Sequence, residues 1–214
     1  MHHLQLSLSL FCKAIESIND LIDKLIEKAL EEVTSRHPDD PDAQRREVAT
    51  KIAVGALRYF MLKYTRNSVI AFDFAEALSF TGETGVYVQY AAVRAQKILG
   101  KLDERGETLP DFQADLTRGA ITRQLTDERL WQAVLTASKA DAAIEQAITS
   151  GEPAHVARYA FQLAQAFSTF YQDFPVVTET NAEKKTFLLW MTTYFRAQLE
   201  RTLAVLGIDV PEYM

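Results

Sequence analysis

Two tyrosines and an arginine at helical spacing, Tyr87, Tyr90 and Arg94, are the residues of this sequence best suited to bind an unpaired nucleic-acid base. A phenol ring stacks on a base, and a guanidinium binds a phosphate or lies against a base plane. At about 100° per residue, the three share one stripe of a helix. Another stripe is small and apolar, as close helix packing requires: Val88, Ala92, Ala95 and Leu99. We therefore predict a helix that packs through one face and presents two rings and a cation, substantially exposed to solvent, on another. Burial of both faces is the competing interpretation, since aromatic residues at helical spacing are usually core residues.

The other reactive residue types form no catalytic or metal-binding pattern. Cys12 is the single cysteine, so an intrachain disulfide and a cysteine-rich metal site are both excluded. The four histidines show no ligand spacing with carboxylates: His2, His3, His37 and His155. The GETG turn at Gly82–Gly85 lacks the Lys-Ser/Thr that would follow in a phosphate-binding loop. We predict no catalytic residue, no metal site and no cofactor.

Composition limits the partners of the chain. Its 214 residues are 48% hydrophobic, enough for a substantial core, and the formal net charge is -6. An acidic protein is a poor non-specific binder of nucleic acid, so no DNA partner is expected, although a few unpaired bases remain possible ligands. No apolar segment is long enough to span a bilayer, and LQLSLSLF lacks the features of a signal peptide. A cytoplasmic protein without a membrane partner is expected.

The pattern of elements predicts a mainly α fold. Apolar residues follow a helical period from Ile15 to Val33, and a second helix, capped by Asp40, runs through KIAVGALRYFMLKY. The segments LQLSLSLF and SVIAFDF are typical of short strands. From Thr126 onward the pattern is helical throughout, with Asn181 as the cap of the last helix. We predict a small mixed α+β N-terminal piece over residues 1–80 and a helical bundle over residues 81–214.

Four segments of the chain resemble the C-terminal part of arginyl-tRNA synthetase. They occur in the family's order and spacing, and the resemblance extends from about Leu21 to Met214: ALRYFMLKYTRN, VIAFDFAEALSF, GETGVYVQYAAVRAQKIL and LAVLGIDVPEYM. The resemblance implies the end of a stem-contact region over residues 1–80. It implies for residues 81–214 an all-helical anticodon-binding domain of the type named after its Asp-Ala-Leu-Arg (DALR) motif.

The same resemblance implies a partner and a set of contact residues. In the family, the helix written here as VYVQYAAVR presents tyrosines and an arginine to the anticodon loop, which gives Tyr87, Tyr90 and Arg94 that role. The C-terminal methionine of the family reaches the same loop, which implies Met214. The segment FSTFYQ resembles a family segment near the loop and adds Tyr171. The implied partner is the anticodon loop of arginine tRNA.

The departures from the family imply that the chain does not charge tRNA alone. Neither a HIGH-like nor a KMSKS-like signature occurs, so ATP would be used only by a catalytic domain that is missing here. Residues 1–14 match nothing in the family. The chain is therefore expected to be an excised fragment, a truncated protein or a paralogue. The alternative function is a non-catalytic protein-interaction or regulatory module, with self-association through apolar surface before Phe80 that a catalytic domain would normally cover.

Overall fold

A computed structural model describes residues 18–107, 109–119 and 122–214. Within these ranges the chain is helical and contains no strand. The described residues form nine α-helices: α1 (Ile18–Arg36), α2 (Asp42–Leu62), α3 (Phe74–Ala77), α4 (Gly85–Glu104), α5 (Phe112–Thr117), α6 (Glu128–Ala137), α7 (Ala140–Ser150), α8 (Ala154–Asp173) and α9 (Ala182–Val205). One 3-10 helix, Thr122–Gln124, lies between α5 and α6. None of these described helices is both long and apolar enough to cross a bilayer.

Local signals set several helix ends. Asn181 caps α9 as predicted, because its side-chain oxygen accepts a hydrogen bond from the backbone N–H of Lys184 at 3.0 Å. Gly151 ends α7 in the left-handed region, with φ of 66°, where glycine has no steric penalty. The predicted cap of α2 is wrong: Pro41, and not Asp40, occupies the cap position, and no side chain caps that helix.

The strand predicted at SVIAFDF is absent, and this corrects the expected α+β piece. Residues 68–73 form neither helix nor strand, and Phe74 begins α3. Phe72 packs edge-on against Phe60, with ring centres 4.8 Å apart, and against Phe74 at 5.3 Å. Asp73 caps α3 through Glu76. The aromatic residues that resemble a strand therefore pack onto a helix, because no described segment offers a neighbouring strand. The other predicted strand, LQLSLSLF, lies outside the described residues.

Two hydrophobic clusters organise the helices. The first joins α1, α2 and the start of α4, and its most buried members are Leu25, Ala49, Ala53, Ala56 and Val86. The second joins α4 with α6–α9, and its fully buried large members include Leu163, Phe167, Phe187, Phe195 and Leu199. Each such side chain contributes about 1.5–3 kcal/mol on burial. The two clusters meet where α2 packs on α4, since Tyr59 of α2 belongs to the second cluster. The division into domains at residue 80 stays a prediction.

Two glycines allow α2 and α4 to approach closely. A Cβ atom on Gly85 would lie 2.6 Å from the carbonyl oxygen of Gly55, inside any normal contact distance. A Cβ atom on Gly55 would lie 2.5 Å from Nε2 of Gln89. The absence of side chains at these two positions therefore fixes the first turn of α4 against the middle of α2.

The last residues of the chain return to the junction of α2 and α4. Gly207 ends α9 with φ of 68°, and the N–H of Ile208 bonds back to the carbonyl of Leu203 at 2.8 Å. The buried side chain of Gln89 donates from Nε2 to the carbonyl of Asp209 at 2.8 Å and to that of Lys51 at 3.0 Å. One side chain of α4 thus ties the C-terminal segment to α2, and this places Met214 beside α4.

Candidate nucleic-acid interface

The two faces predicted for α4 are present. The small apolar stripe is buried throughout: Val88, Ala92, Ala95 and Leu99. Tyr87, Tyr90 and Arg94, on the second face, are each half-buried. The separation of a packing face is therefore confirmed, whereas the expectation of largely exposed tyrosines is wrong, because neighbouring aromatic residues cover part of both rings.

Cationic and aromatic side chains alternate across the second face. The guanidinium carbon of Arg94 lies 4.6 Å from the centre of the Tyr90 ring and 5.1 Å from that of Tyr171, and its Nη2 donates to the Tyr90 hydroxyl at 2.6 Å. The Tyr90 ring also meets Phe80 edge-on at 5.9 Å, and Arg36 lies 4.6 Å from the Phe80 ring centre. Contacts between a guanidinium and an aromatic ring stabilise by about 0.5–2 kcal/mol each. The rings are therefore held in place before any ligand binds.

A cleft of about 210 Å³ opens beside Arg94. Four of the five residues predicted to contact RNA line it: Tyr90, Arg94, Tyr171 and Met214. The remaining lining residues are aliphatic or basic: Val93, Lys97, Ile98, Lys101 and Val177. The cleft is smaller than the roughly 300–1,000 Å³ of a pocket for a drug-sized ligand. Its size and aromatic walls suit one flat ring, such as a nucleobase.

Tyr87 lies outside this cleft and contacts α8. Its hydroxyl is 3.1 Å from Oγ of Ser168, and its ring centre is 5.5 Å from that of Phe161. These contacts join α4 to α8, the helix that carries Tyr171. The predicted contact between Tyr87 and RNA stays a prediction, and the structure adds a packing role for the same side chain.

Met214 lies between two cavities. Besides the small cleft, it lines a larger one of about 640 Å³, which is bounded by the C-terminal half of α1 and by residues 72–80. Phe72, Phe74 and Phe80 contribute aromatic walls to this larger cavity. Apart from Met214, its lining residues lie between Lys28 and Phe80, and the sequence predicts exposed apolar surface before Phe80. Self-association through that surface stays a prediction.

The residue before Met214 anchors the end of the chain to α1 and α2. The Tyr213 ring lies 4.3 Å from that of His37, centre to centre. Burial, and secondarily the nearby carboxylate of Asp40, raises the pKa of Tyr213 to about 12. A phenol is neutral at physiological pH even at its usual pKa of about 10, so Tyr213 adds no negative charge beside the cleft.

The cleft is locally positive in an acidic protein. Arg94, Lys97 and Lys101 all line it, whereas none of the aspartate and glutamate side chains that the structure describes does. Both lysines are exposed. Neither lysine was predicted from the sequence, although their spacing of three and seven residues from Arg94 places them on the same side of the helix. Within the described ranges, no cluster of histidine, cysteine and carboxylate side chains could hold a metal ion.

Comparisons with known proteins identify relatives of the whole described region. Residues 88–214 match the family described as the DALR anticodon binding domain. Over 198 residues, or 92% of this chain and 30% of the relative, 33% of positions are identical to arginine–tRNA ligase of Pyrococcus abyssi. The ligase of Hyphomonas neptunium is 37% identical over 173 residues, which are 81% of this chain and 28% of that protein.

Solved structures show the same similarity. Arginyl-tRNA synthetase of Thermus thermophilus superposes with a TM-score of 0.78 at 29% identity, over 92% of this chain and 32% of that one. The Plasmodium falciparum enzyme, at 21% identity, shares the fold with a TM-score of 0.76 over 94% of this chain and 34% of that one. The chain therefore spans about a third of the length of the relatives that it matches.

Proposed function

The chain belongs to the DALR anticodon-binding domain family, and from this premise we propose that its small cleft recognises an unpaired base in the anticodon loop of arginine tRNA. The observation that carries the proposal is the convergence of Tyr90, Arg94, Tyr171 and Met214 on one cleft. These residues come from α4, α8 and the C-terminal segment, and only the folded chain brings them together.

The chemistry of the cleft supports base stacking. A base stacked on a tyrosine ring gains about 1–3 kcal/mol, and the gain depends little on which base it is. Arg94 has five N–H donors, and one nitrogen is engaged by the Tyr90 hydroxyl, so donors remain for the edge of a base or for a phosphate. The thioether of Met214 offers an apolar, adaptable contact at the rim. Stacking supplies affinity in this proposal, and Arg94 supplies base preference.

The activity of the longer relatives is not assigned to this chain. The curated relatives are arginine–tRNA ligases of about three times its length. In our proposal, this chain supplies tRNA recognition and does not charge tRNA by itself, and ATP would be needed only by a separate catalytic domain. A cytoplasmic location follows from the same proposal. The alternative, a protein-interaction or regulatory module, is not favoured, because four residues suited to RNA contact meet in one positive cleft.

The test is a binding titration with two RNAs. An arginine tRNA transcript and the same transcript with a changed anticodon are titrated against the full chain at a fixed ionic strength of about 0.15 M. We expect tighter binding to the first. Tyr90→Ala should weaken that binding by about 1–3 kcal/mol. Tyr64→Ala is the matched control, since Tyr64 is also half-buried but lies against Phe60, outside the cleft.

Two results would overturn the proposal. Equal affinity for both transcripts would show that the chain does not recognise the anticodon. Unchanged affinity in Tyr90→Ala, with an unaltered unfolding temperature, would show that the cleft is not where the base binds.

A further inference from the structure

Three cations follow one side of α4 and continue beyond the aromatic part of the cleft. Arg94, Lys97 and Lys101 are separated by three and four residues, so a rise of about 1.5 Å per residue places them roughly 4.5 and 6 Å apart along the helix axis. All three line the cleft, but only Arg94 contacts the rings. The two lysines therefore extend a positive surface away from the site where a base would stack.

Lys97 and Lys101 have no anionic partner among the described side chains, unlike about half of the lysines and arginines that the structure describes. Ion pairs with carboxylates occupy many of the others, including Lys51 with Glu47 at 2.8 Å and Lys63 with Glu76 at 2.7 Å. Among the side chains that the structure describes, neither Lys97 nor Lys101 forms such a pair. Like charges one helical turn apart destabilise a helix by about 0.2–0.5 kcal/mol, so the unpaired arrangement favours an external anion.

We propose that Lys97 and Lys101 bind backbone phosphates of the RNA strand whose base occupies the cleft. The inference rests on the proposed function and deepens it, because it assigns the direction of the strand along α4, from Tyr90 toward the C-terminal end of the helix. An ammonium group is a compact point charge without the planar geometry that a guanidinium offers. Contacts of this kind position the strand and carry no sequence information.

The turn that follows α8 forms part of the wall of the cleft that the RNA strand would follow. Val177 lines the cleft, as Lys101 does, and the guanidinium of Arg105 donates to the carbonyl oxygen of Val177 at 3.4 Å. Arg105 thus holds that turn toward the end of α4, where the strand leaves the cleft. Its bond to the backbone distinguishes it from Lys97 and Lys101, which donate to no side chain or carbonyl among the described residues.

The test is the salt dependence of tRNA binding. The full chain and the variants Lys97→Gln, Lys101→Gln and the double variant are titrated with the arginine tRNA transcript across a range of salt concentrations. For single-stranded RNA, the slope of log K against log salt becomes shallower by about 0.7 for each phosphate that the protein no longer neutralises. We expect a change of about 0.7 from each single variant and about 1.4 from the double variant. The ratio of affinities for the correct and changed anticodons should stay constant.

Lys139→Gln is the matched control. Lys139 is also an exposed lysine, and it precedes α7 and makes no side-chain capping bond. It lies two residues after Ala137, whose carbonyl accepts a hydrogen bond from Tyr159. Tyr159 is twelve residues from Tyr171 on α8. That separation is roughly 18 Å along the helix. The control should retain the wild-type slope, although it changes the net charge by the same amount.

The outcomes separate this inference from the proposed function. If the unaltered chain distinguishes the two transcripts but the double variant keeps the wild-type slope, the phosphate contacts are refuted and base recognition stands. If Lys139→Gln changes the slope as much as the cleft variants do, the effect is one of net charge and the inference is refuted. If the unaltered chain binds neither transcript, both proposals fail together.

Discussion

The guanidinium carbon of Arg94 on α4 lies 5.1 Å from the centre of the Tyr171 ring on α8. The same guanidinium donates a hydrogen bond to the hydroxyl of Tyr90, so Arg94 contacts both rings of the cleft, one on α4 and the other on α8. In sequence, Tyr171 belongs to a segment with only a weak resemblance to known RNA contacts. Its position beside Arg94 results from the packing of α8 on α4, which gives the cleft its second aromatic wall.

Replacing Arg94 by lysine should weaken RNA binding while leaving the fold intact. Lysine keeps the charge but loses the planar group that lies against both rings. We expect a loss of about 0.5–2 kcal/mol, or roughly twofold to thirtyfold in the dissociation constant. Arg118→Lys is the control, since Arg118 is exposed at the end of α5 and far from these contacts in the chain. Equal effects of the two substitutions on tRNA titrations would contradict a special role for the guanidinium.

Tyr87→Phe tests whether the hydroxyl of Tyr87 joins α4 to α8 or binds RNA. The substitution removes the hydrogen bond to Ser168 and keeps the ring beside Phe161. We expect the free energy of unfolding to fall by about 0.5–1.5 kcal/mol, measured by urea denaturation. Affinity for arginine tRNA should stay at its wild-type value, because the ring that would stack on a base is retained. A weaker complex with unchanged stability would instead show that the Tyr87 hydroxyl bonds to RNA.

Local features of the chain were predictable from sequence. The buried stripe Val88, Ala92, Ala95 and Leu99 follows from helical periodicity, and the cap at Asn181 follows from residue type. Both depend only on neighbours within a few turns of the chain. The prediction of a strand at residues 68–74 was wrong because it used the same local information alone. Aromatic and β-branched residues favour a strand locally, but a strand also needs a partner segment. Phe72 packs against Phe60 instead.

The cleft itself was predictable only in part. Residue type and helical spacing indicated Tyr90 and Arg94, and the resemblance to a family added Tyr171 and Met214, but nothing in the sequence places them around one cleft. Lys97 was missed because an exposed lysine is usually just solvated. The structural role of Gln89 was also not predicted, although a glutamine within an apolar stretch indicates a buried side chain that needs hydrogen-bond partners.

The close approach of α2 and α4 predicts opposite effects for two glycine substitutions in the same helix. Gly85→Ala places a methyl group 2.6 Å from the Gly55 carbonyl oxygen, so the helices must separate. We expect a loss of about 1–3 kcal/mol in the free energy of unfolding. Gly100→Ala is the control, because no atom lies within 4 Å of its added Cβ. Alanine there should stabilise the helix by about 0.5–1 kcal/mol. Thermal or urea unfolding measures both, and a stabilising Gly85→Ala would disprove the close contact.

Gln89→Met should loosen the C-terminal segment. Methionine fills a similar volume but donates no hydrogen bond, so the carbonyl of Asp209 loses the bond to Nε2. We expect destabilisation by about 1–3 kcal/mol and faster amide hydrogen exchange from Ile208 to Met214. Gln113→Met is the matched control, since Gln113 is exposed on α5. If exchange in the last residues were equal in both variants, Gln89 would not be the anchor of this segment.

Two buried tyrosines predict a loss of stability in alkali. The hydroxyl of Tyr59 donates to the carbonyl of Ala157 at 2.8 Å, and that of Tyr159 donates to the carbonyl of Ala137 at 2.9 Å. Burial is the main cause that raises the pKa of both phenols well above the usual value, and the charge of Glu83 adds to it at Tyr59. The folded state therefore holds these protons more tightly than the unfolded chain does.

The sign of the pH dependence follows from that difference. An unfolded tyrosine ionises near pH 10, so the stabilisation is fully present below about pH 10 and is lost as the pH rises above it. The free energy of unfolding in urea should fall between about pH 10 and 11. In Tyr59→Phe, which cannot ionise, the fall over the same interval should be smaller, although the variant is less stable at neutral pH. Parallel curves for the variant and the unaltered chain would show that ionisation of Tyr59 is not linked to unfolding.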